Sequence, residues 1–374
     1  CLLMEKIFTK VLVVGAGVVG LAIARKLMLD GKDTILIDKN QKIAEEVSAR
    51  NSGVIHAGFY YPPQSLKSQL CNVGNKMIYQ YCKEKNIFSK NTGKIVIGNT
   101  DSDLNKINQY ISNAEHYIGE PLTLIEGVEL QQIEPNVVAS FGMLSPETGI
   151  LDVHHYSESL ADDFEAASGL LSLNTTFSGV SRENKKFVSE IQTGEEKFKI
   201  ISDYIIFSAG LNSGDILSNK NSEVDISGIK KLNFTKGHYF KLKGKSPFLH
   251  LIYPMPTKLG LGIHAGFDID GTVRFGPDTH VVSEISYHFE PNQKEKFLNA
   301  IKKYYPAISD DDIEEDYVGI RPKIQALNEQ FADFSILLER EHQIKNLIFL
   351  QGIESPGLTC SLALGALINN YVAN

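Results

Sequence analysis

Val11-Leu12-Val13-Val14-Gly15-Ala16-Gly17-Val18-Val19-Gly20, running on to Asp30, is the stretch on which the fold turns. Four apolar, mostly β-branched residues predict a buried strand. Three glycines at G-x-G-x-x-G spacing predict a tight turn, and the run to Asp30 a helix. After Gly31, Thr34-Ile35-Leu36-Ile37-Asp38 predicts a second strand, which closes a β-α-β unit on an acid. Each glycine has its own job: one makes the turn, one lets backbone approach a phosphate, and one packs helix on strand. Gly15, Gly17, Val18, Val19 and Gly20 are therefore the expected cradle of a dinucleotide pyrophosphate, with a helix N-terminus facing its charge. Asp38 lies eighteen positions beyond Gly20, with Lys39 beside it, where a carboxylate accepts the ribose hydroxyls. The strand before, the helix after and the acid at its distance set this apart from a coincidental glycine-rich turn. Whether the dinucleotide is FAD or NAD is not decided by this unit.

Outward from the turn, 374 residues exceed what one core usually organises, so two domains are expected. Asn51 to Pro63 reads as an irregular loop. Ser65 to Lys85 reads as a helix with Leu66, Leu70, Val73, Met77 and Tyr81 as its core stripe. Gly93 to Gly98 is an expected strand, Asp103 to Tyr117 a helix, and Gly127 to Leu130 the start of another short helix. Ile150 to Ala167 reads as a helix returning to the first domain, and Tyr204 to Phe207 as a buried parallel strand. Leu232 to Phe275 reads as antiparallel strands, with Asn292 to Tyr304 a helix laid on them. Leu347 to Leu350 is a last buried strand, before a helix from about Thr359 to Val372. The fold class is α/β with an α+β second domain. A Rossmann-like nucleotide domain (4–85, 140–215, 335–374) is joined to a mainly antiparallel-sheet substrate domain (86–139, 216–334).

Composition narrows the function. Apolar residues at 43% and charged residues at 22% describe a globular chain with a sizeable core. The formal charge is -8, from 37 basic and 45 acidic residues with the basic ones scattered, so nucleic acid is not an expected partner. A few convergent cations can still bind a small anion. Cys1, Cys71, Cys82 and Cys360 form no C-x-x-C pair and no His-spaced cluster, so neither a metal site nor a disulfide scaffold is expected. Reduced thiols fit a cytoplasmic location, with peripheral attachment to a membrane left open. The apolar run Val11 to Ala24 is shorter than the ~18 residues of a spanning helix. Met4 is the expected start, with Cys1-Leu2-Leu3 a remnant.

A second strand end, Tyr204-Ile205-Ile206-Phe207-Ser208-Ala209-Gly210, puts small residues where parallel sheets place ligands. The bland alternative is an ordinary strand-to-helix turn. Ser48-Ala49-Arg50-Asn51-Ser52-Gly53-Val54-Ile55-His56-Ala57-Gly58-Phe59-Tyr60-Tyr61-Pro62-Pro63, with Lys236 to Phe240, Leu251 to Pro256 and Leu261 to His264, carries a resemblance. Phe275 to Asp278, Val318 to Pro322 and Ile353 to Thr359 continue it across nearly the whole chain. These segments resemble the L-2-hydroxyglutarate dehydrogenase/oxidase group of the D-amino-acid oxidase superfamily of FAD enzymes. The chain departs from that group in carrying Asp38 where Glu is commoner and Ala49-Arg50 where Gly-His stands.

The resemblance implies FAD as cofactor. It points to Arg50, Asn51, Ser52, Gly53, Val54, Ile55, Val180, Ala209, Gly210, Arg321, Gly357, Leu358 and Thr359 as further cofactor contacts. It implies that a small carboxylate substrate, an L-2-hydroxy acid, gives its Cα hydride to flavin N5. A histidine suits the accompanying proton, and His56 and His264 are the two candidates; either is otherwise a structural histidine. Arg321 in Gly-Ile-Arg-Pro suits bidentate contact with the substrate carboxylate, against the alternative of a salt bridge after a strand. Tyr239, Tyr253 and Tyr61 either donate hydroxyls or wall the pocket. The helix opened by Gly357 offers its N-terminus to negative charge on the reduced flavin. Cys360 reads as a packed thiol rather than a flavin attachment point. Two other readings stand beside the hydroxy-acid enzyme: an FAD-dependent amino-acid or secondary-amine oxidase, and a flavin-binding protein without turnover. The electron acceptor, whether oxygen, a quinone or an electron-transfer protein, is left open.

Overall fold

The structure, a computed structural model, describes residues 5–119, 121–218, 222–226, 228–255, 262–325 and 329–373. Met4 with the residues before it, and Pro256 and Leu261 of the quoted segments, lie outside the described residues. The chain forms two compact units, one of Cys1–Ala49, Val153–Asn233 and Pro322–Asn374, the other of Arg50–Asp152 and Phe234–Arg321. The sequence reading drew its lines at 85, 140, 215 and 335. Residues 50–85 cluster with the second unit because helix Leu66–Lys85 is fastened there. Asn75 Nδ2 donates to the carbonyls of His56 at 3.0 Å and Glu147 at 2.9 Å.

In the first unit, strand Lys6–Val14 lies parallel to Thr34–Ile37 on one side and Glu196–Phe207 on the other. Leu347–Gln351 extends the parallel set beyond Glu196–Phe207, and Leu170–Ser172 beyond Thr34–Ile37. Val11, Leu12 and Val13 are wholly buried, which is why this strand reads as an unbroken apolar run. Helices Val18–Leu29 and Gly357–Asn369 pack closely: a Cβ on Gly365 would come 2.7 Å from the Ala22 carbonyl. Helix Val153–Ala166 is fastened by Arg25 Nε to Asp163 Oδ2 at 2.7 Å and by the buried Tyr156–Ser361 hydroxyl pair at 2.8 Å. It begins three residues later than its pattern suggested, because Gly149–Leu151 is a strand. Strand Glu196–Phe207 is also longer than the expected Tyr204–Phe207. Its first half closes an antiparallel meander with Thr175–Glu183 and Lys186–Thr193. There one face is solvated, so the run is not continuously apolar.

The second unit is built on a nine-stranded, largely antiparallel sheet running from His280–Val282 through Asn233–Leu242, Val273–Phe275, Ala265–Phe267, Leu251–Pro254, Lys94–Gly98 and Phe141–Ser145 to Thr123–Glu126. Ile313–Lys323 also pairs with Asn233–Leu242. Leu251–Pro254 and Lys94–Gly98 run parallel, with Leu251 opposite Lys94 and Tyr253 opposite Val96. Helix Lys294–Ile301 sends Phe297, Leu298 and Ile301 into the core beside Phe240 and Phe275. Of the expected stripe on helix Leu66–Lys85, Tyr81 is buried, Leu66, Leu70 and Met77 are half-buried and Val73 is exposed, and Cys71, Gly74, Asn75, Ile78 and Cys82 are buried beside it. Small and amide side chains win that face because it meets backbone, as at Gly58 against Cys71, where bulky apolar residues do not fit.

Candidate active site

In the first unit the site starts from the end of strand Lys6–Val14. Gly15 turns the chain at φ +109°, and its N–H donates to the Ile37 carbonyl at 2.8 Å. A Cβ there would meet the Ser208 carbonyl at 2.5 Å, and a Cβ on Gly20 would come within 1.8 Å of the Gly15 carbonyl. Only glycine permits this stacking of helix on turn. Gly17 is the N-cap of Val18–Leu29 and has no side chain to take a helix N–H; the Ser48 hydroxyl accepts from Val18 N at 3.0 Å. Asp38 accepts from Ala16 N at 2.6 Å and Asn40 N at 2.8 Å, while burial pushes its carboxyl above the ordinary value against those hydrogen bonds.

A cavity of about 310 Å³ opens here, lined by Gly15, Gly17, Asp38, Lys39, Ser48, Thr175, Phe177, Ser208, Ala209 and Gly210 among others. Lys39 is paired with Glu46 at 3.0 Å. Val180 lies further along the strand of Thr175, with its side chain in the core and its carbonyl taking the Glu223 N–H at 2.9 Å. It is not among the lining residues; Thr175, Thr176 and Phe177 hold that place on the strand. Gly357, Leu358 and Thr359 open helix Gly357–Asn369, whose N-cap Pro356 makes no side-chain cap. Cys360 is wholly buried one residue on.

The second unit gathers the remaining candidates. Residues 50–55 are stitched in place by short bonds: the Asn51 carbonyl accepts from Tyr317 Oη at 2.6 Å, Asn51 Oδ1 accepts from Gly53 N at 2.8 Å, and the Ser52 and Tyr239 hydroxyls meet at 2.9 Å. Tyr239 stacks on Tyr317 with centroids 4.4 Å apart. Arg50 lays its guanidinium over the Tyr287 ring at 4.3 Å, and its backbone packs on Gly319, where a Cβ would meet the Arg50 carbonyl at 2.3 Å. Val54–Ile55 pairs with Gly149–Leu151.

His56 follows directly. Desolvation, with lesser contributions from the nearby charges of Lys94 and His264, pulls its imidazole down to about 3, so it is neutral at any ordinary pH. His264 stacks on Tyr253 at 3.6 Å between centroids and 15° between planes. Burial raises the Tyr253 phenol above its usual range. Lys94 Nζ sits 4.5 Å from the Phe59 ring centroid, 4.7 Å from that of Tyr60 and 4.9 Å from that of Tyr253.

Arg321 is placed beside Tyr239, whose phenol it pulls down against a stronger upward push from burial. Its Nη2 donates to the carbonyls of Asp278 at 2.8 Å and Lys236 at 3.4 Å, and its Nε to that of Thr235 at 3.4 Å. The Nε–Nη2 edge of the fork is thus spent on backbone carbonyls. Arg274, a neighbour the sequence reading did not single out, is committed to Asp268 and Asp316, both at 2.7 Å.

The whole arrangement matches known proteins at three levels. Residues 10–370 match the family described as FAD dependent oxidoreductase. The chain belongs to that family. Within the FAD dependent oxidoreductases, it is 35% identical to the L-2-hydroxyglutarate dehydrogenase, mitochondrial, of Arabidopsis thaliana, over 96% of this chain and 82% of that protein. It is 27% identical to the L-2-hydroxyglutarate dehydrogenase of Indibacter alkaliphilus, over 96% and 97%. Among solved structures, L-alpha-glycerophosphate oxidase from Mycoplasma pneumoniae with FAD bound superposes with a TM-score of 0.86 at 20% identity, covering 98% of this chain and 94% of that one. Glycine oxidase from Geobacillus kaustophilus gives 0.81 at 15%, covering 98% and 94%. These two show the fold.

The cofactor is FAD, and the first unit fits it on its own terms. The cleared glycine turn, the helix N-terminus without a side-chain cap from Gly17 and the half-buried Asp38 at the cavity wall are the donor and acceptor types that a pyrophosphate and a ribose require.

Lys94, buried among the rings of Phe59, Tyr60 and Tyr253, is a residue that the sequence reading of this FAD dependent oxidoreductase did not single out. Its signal was present: Lys94-Ile95-Val96-Ile97-Gly98 is a fully buried run headed by a charge. Tyr317 went unsingled because its ring partner Tyr239 lies on a distant strand, and Phe59 and Tyr60 pack on Tyr110 of helix Asp101–Asn113. No metal site was expected, and among the described residues one group has ligand spacing, His238, Asp278 and His280. Its atoms are committed to hydrogen bonds. His238 Nδ1 and His280 Nε2 face Asp278 at 2.9 and 2.6 Å, Lys296 Nζ reaches the same carboxylate at 3.0 Å, and His238 Nε2 accepts from Glu290 N. The network braces Asp278, whose carbonyl holds Arg321.

Proposed function

We propose that this FAD dependent oxidoreductase converts a small L-2-hydroxy acid of the L-2-hydroxyglutarate type to its 2-oxo acid. Bound FAD supplies the hydride acceptor. The observation that carries the reading is the coexistence, in one unit, of a neutral imidazole at His56, a stacked His264–Tyr253 pair and the cations Lys94 and Arg321. Oxidation of an alcohol carbon requires the hydroxyl proton to leave as the hydride does. A neutral imidazole accepts it, and a carboxylate brought in by the substrate opposes the shift that burial, and to a lesser extent the charges of Lys94 and His264, impose on His56. His56 is assigned this proton, because Asn75 and Cys71 grip its carbonyl from behind and fix its backbone. His264 is held flat against Tyr253, close enough for its charge to be felt at His56. Arg321 takes the carboxylate next to the reacting carbon, and Tyr239 with Tyr253 completes the wall.

The names of the relatives support the substrate, and the family supports the redox chemistry. Among the described residues, no helix is long and apolar enough to cross a membrane. Cys71, Cys82 and Cys360 are buried without a disulfide, which supports work in a reducing compartment such as the cytoplasm.

The test is anaerobic titration of the purified yellow protein. L-2-hydroxyglutarate is expected to bleach the oxidised flavin band, and glycine, sarcosine and D-alanine to leave it unchanged. Bleaching by an amine alone would replace this reading with an amine oxidase, and bleaching by nothing tried would leave a binding protein.

A further inference from the structure

The side chain of Asp278 is 1% exposed, yet it carries a charge. Against the upward push of burial, hydrogen bonds from His238 and Lys296 hold its carboxyl well below the usual carboxylate range. Four groups face it. His238 brings its backbone N–H at 2.8 Å and its Nδ1 at 2.9 Å to Oδ1, while His280 Nε2 and Lys296 Nζ reach Oδ2 at 2.6 and 3.0 Å. His238 Nε2 accepts from Glu290 N at 3.3 Å, so the ring proton sits on Nδ1 and points at the carboxylate. A charge desolvated this thoroughly persists only where it is fully partnered.

What that grip holds is the backbone of the same residue. The Asp278 carbonyl takes Arg321 Nη2 at 2.8 Å, whereas the carbonyls of Lys236 and Thr235 lie 3.4 Å from Nη2 and Nε, near the limit for a hydrogen bond. Of the three carbonyls on the fork, that of Asp278 is the strong anchor. The convergence is close: a Cβ on Gly237 would come 2.5 Å from Pro277 Cβ and 3.3 Å from Arg321 Nη2.

We infer that Asp278 is a positioning residue of the site: its carboxylate, gripped by His238, His280 and Lys296, fixes the carbonyl that aims the Arg321 guanidinium, and so sets the affinity for the substrate carboxylate without touching it. The inference rests on the reading of Arg321 as the carboxylate-binding residue and adds what keeps it in aim. An arginine stem is long and rich in rotamers, so its fork binds better when its plane is fixed before the ligand arrives. Half of the grip comes from nearer the surface, where the side chains of His280 and Lys296 are 34% and 49% exposed. A substitution there reaches the site through Asp278.

The experiment uses FAD-loaded wild type, D278A, D278N and K296M, each also combined with R321M. Calorimetry gives the dissociation constant of glutarate, a carboxylate that cannot be oxidised, and steady-state kinetics give KM and kcat for L-2-hydroxyglutarate. D278A is expected to weaken glutarate binding and raise KM by about 10-fold, the scale of a lost hydrogen bond to a charged group. Its kcat is expected to stay within about 3-fold, and D278N, which keeps the shape and an acceptor, to recover part of the affinity. K296M is expected to weaken glutarate by about 2- to 5-fold, the range of a part-exposed ion pair. In the R321M background D278A should add less than about 2-fold, because the two residues then no longer share an interaction. A merely structural role would not produce that non-additivity.

Unchanged glutarate affinity in D278A, or the same loss with and without Arg321, would sink the inference. Should D278A fail to hold FAD, K296M decides, and wild-type glutarate affinity in that variant overturns the claim. A wild type that binds no glutarate removes the carboxylate reading of Arg321 and the inference together. If L-2-hydroxyglutarate leaves the flavin oxidised while glutarate binding still depends on Asp278 through Arg321, the proposed reaction fails and the positioning role stands.

Discussion

The glycine turn of the first unit and the polar nest of the second are built by opposite means. At 15–20 the working groups are backbone: cleared space at Gly15 and Gly20 and the N–H groups that open helix Val18–Leu29. Around Lys94 they are side chains, with His56, Phe59 and Tyr60 from one loop, Lys94 from one strand, Tyr253 from the strand parallel to it, and His264 from beyond. A backbone site has to be nearly contiguous in sequence, because the turn itself sets the spacing. A side-chain site has no such constraint. Substitutions should therefore fail differently in the two regions, one through cofactor retention and the other through chemistry.

The largest effect is expected in the nest. His56→Asn should slow flavin reduction by L-2-hydroxyglutarate by about 10²- to 10⁴-fold, the range for losing a general base, with FAD still bound. Stopped-flow reduction measures it, and His264→Asn should fall less. The reverse ranking would move the proton acceptor to His264. Gly20→Val should act the other way round. A side chain 1.8 Å from the Gly15 carbonyl forces helix and turn apart, so FAD affinity should fall by at least about 100-fold, read as loss of yellow colour on desalting. Retention of flavin would remove the third glycine from the account.

Arg321→Met should cost about 10- to 100-fold, mainly in KM, and leave FAD in place. Unchanged kinetics would reduce Arg321 to a brace for Asp278, Lys236 and Thr235.

A smaller test uses pH. The imidazole of His56 is held near 3 in the folded chain against about 6.5 unfolded, so below about pH 6.5 the unfolded state binds a proton that the folded state refuses. Stability is then lost as pH falls from about 6.5 towards 3, and His56→Asn should lose less on acidification from pH 8 to 5 than wild type does. Parallel melting curves for the two would place the imidazole in water.

Much of the first unit was legible before any coordinates. The order strand, glycine turn, helix, strand and acid is dictated by the 3.8 Å step of the chain and by what phosphate needs, so it cannot be scattered. Ala209 and Gly210 were legible for a related reason, since parallel strands deliver ligands at their ends. Val180 was named from the resemblance instead, and its side chain lies in the core while its carbonyl takes the Glu223 N–H. On helix Leu66–Lys85 the apolar stripe left out part of the buried face, where Cys71, Gly74 and Asn75 lie and Asn75 donates to the His56 carbonyl. Of the nest, His56, His264, Tyr239, Tyr253 and Arg321 were named from the resemblance, without any sign of which would touch.

By itself, then, the amino-acid sequence determined the nucleotide turn, the α/β character and the identity of most polar groups, because those depend on neighbours along the chain. Only the tertiary structure decided that Lys94 sits beneath three aromatic rings next to His56, and that Arg321 has one edge already bound to carbonyls. Both outcomes depend on how distant strands and loops are brought together, Arg321 with Asp278 and Leu251 with Lys94, and local spacing carries no record of that.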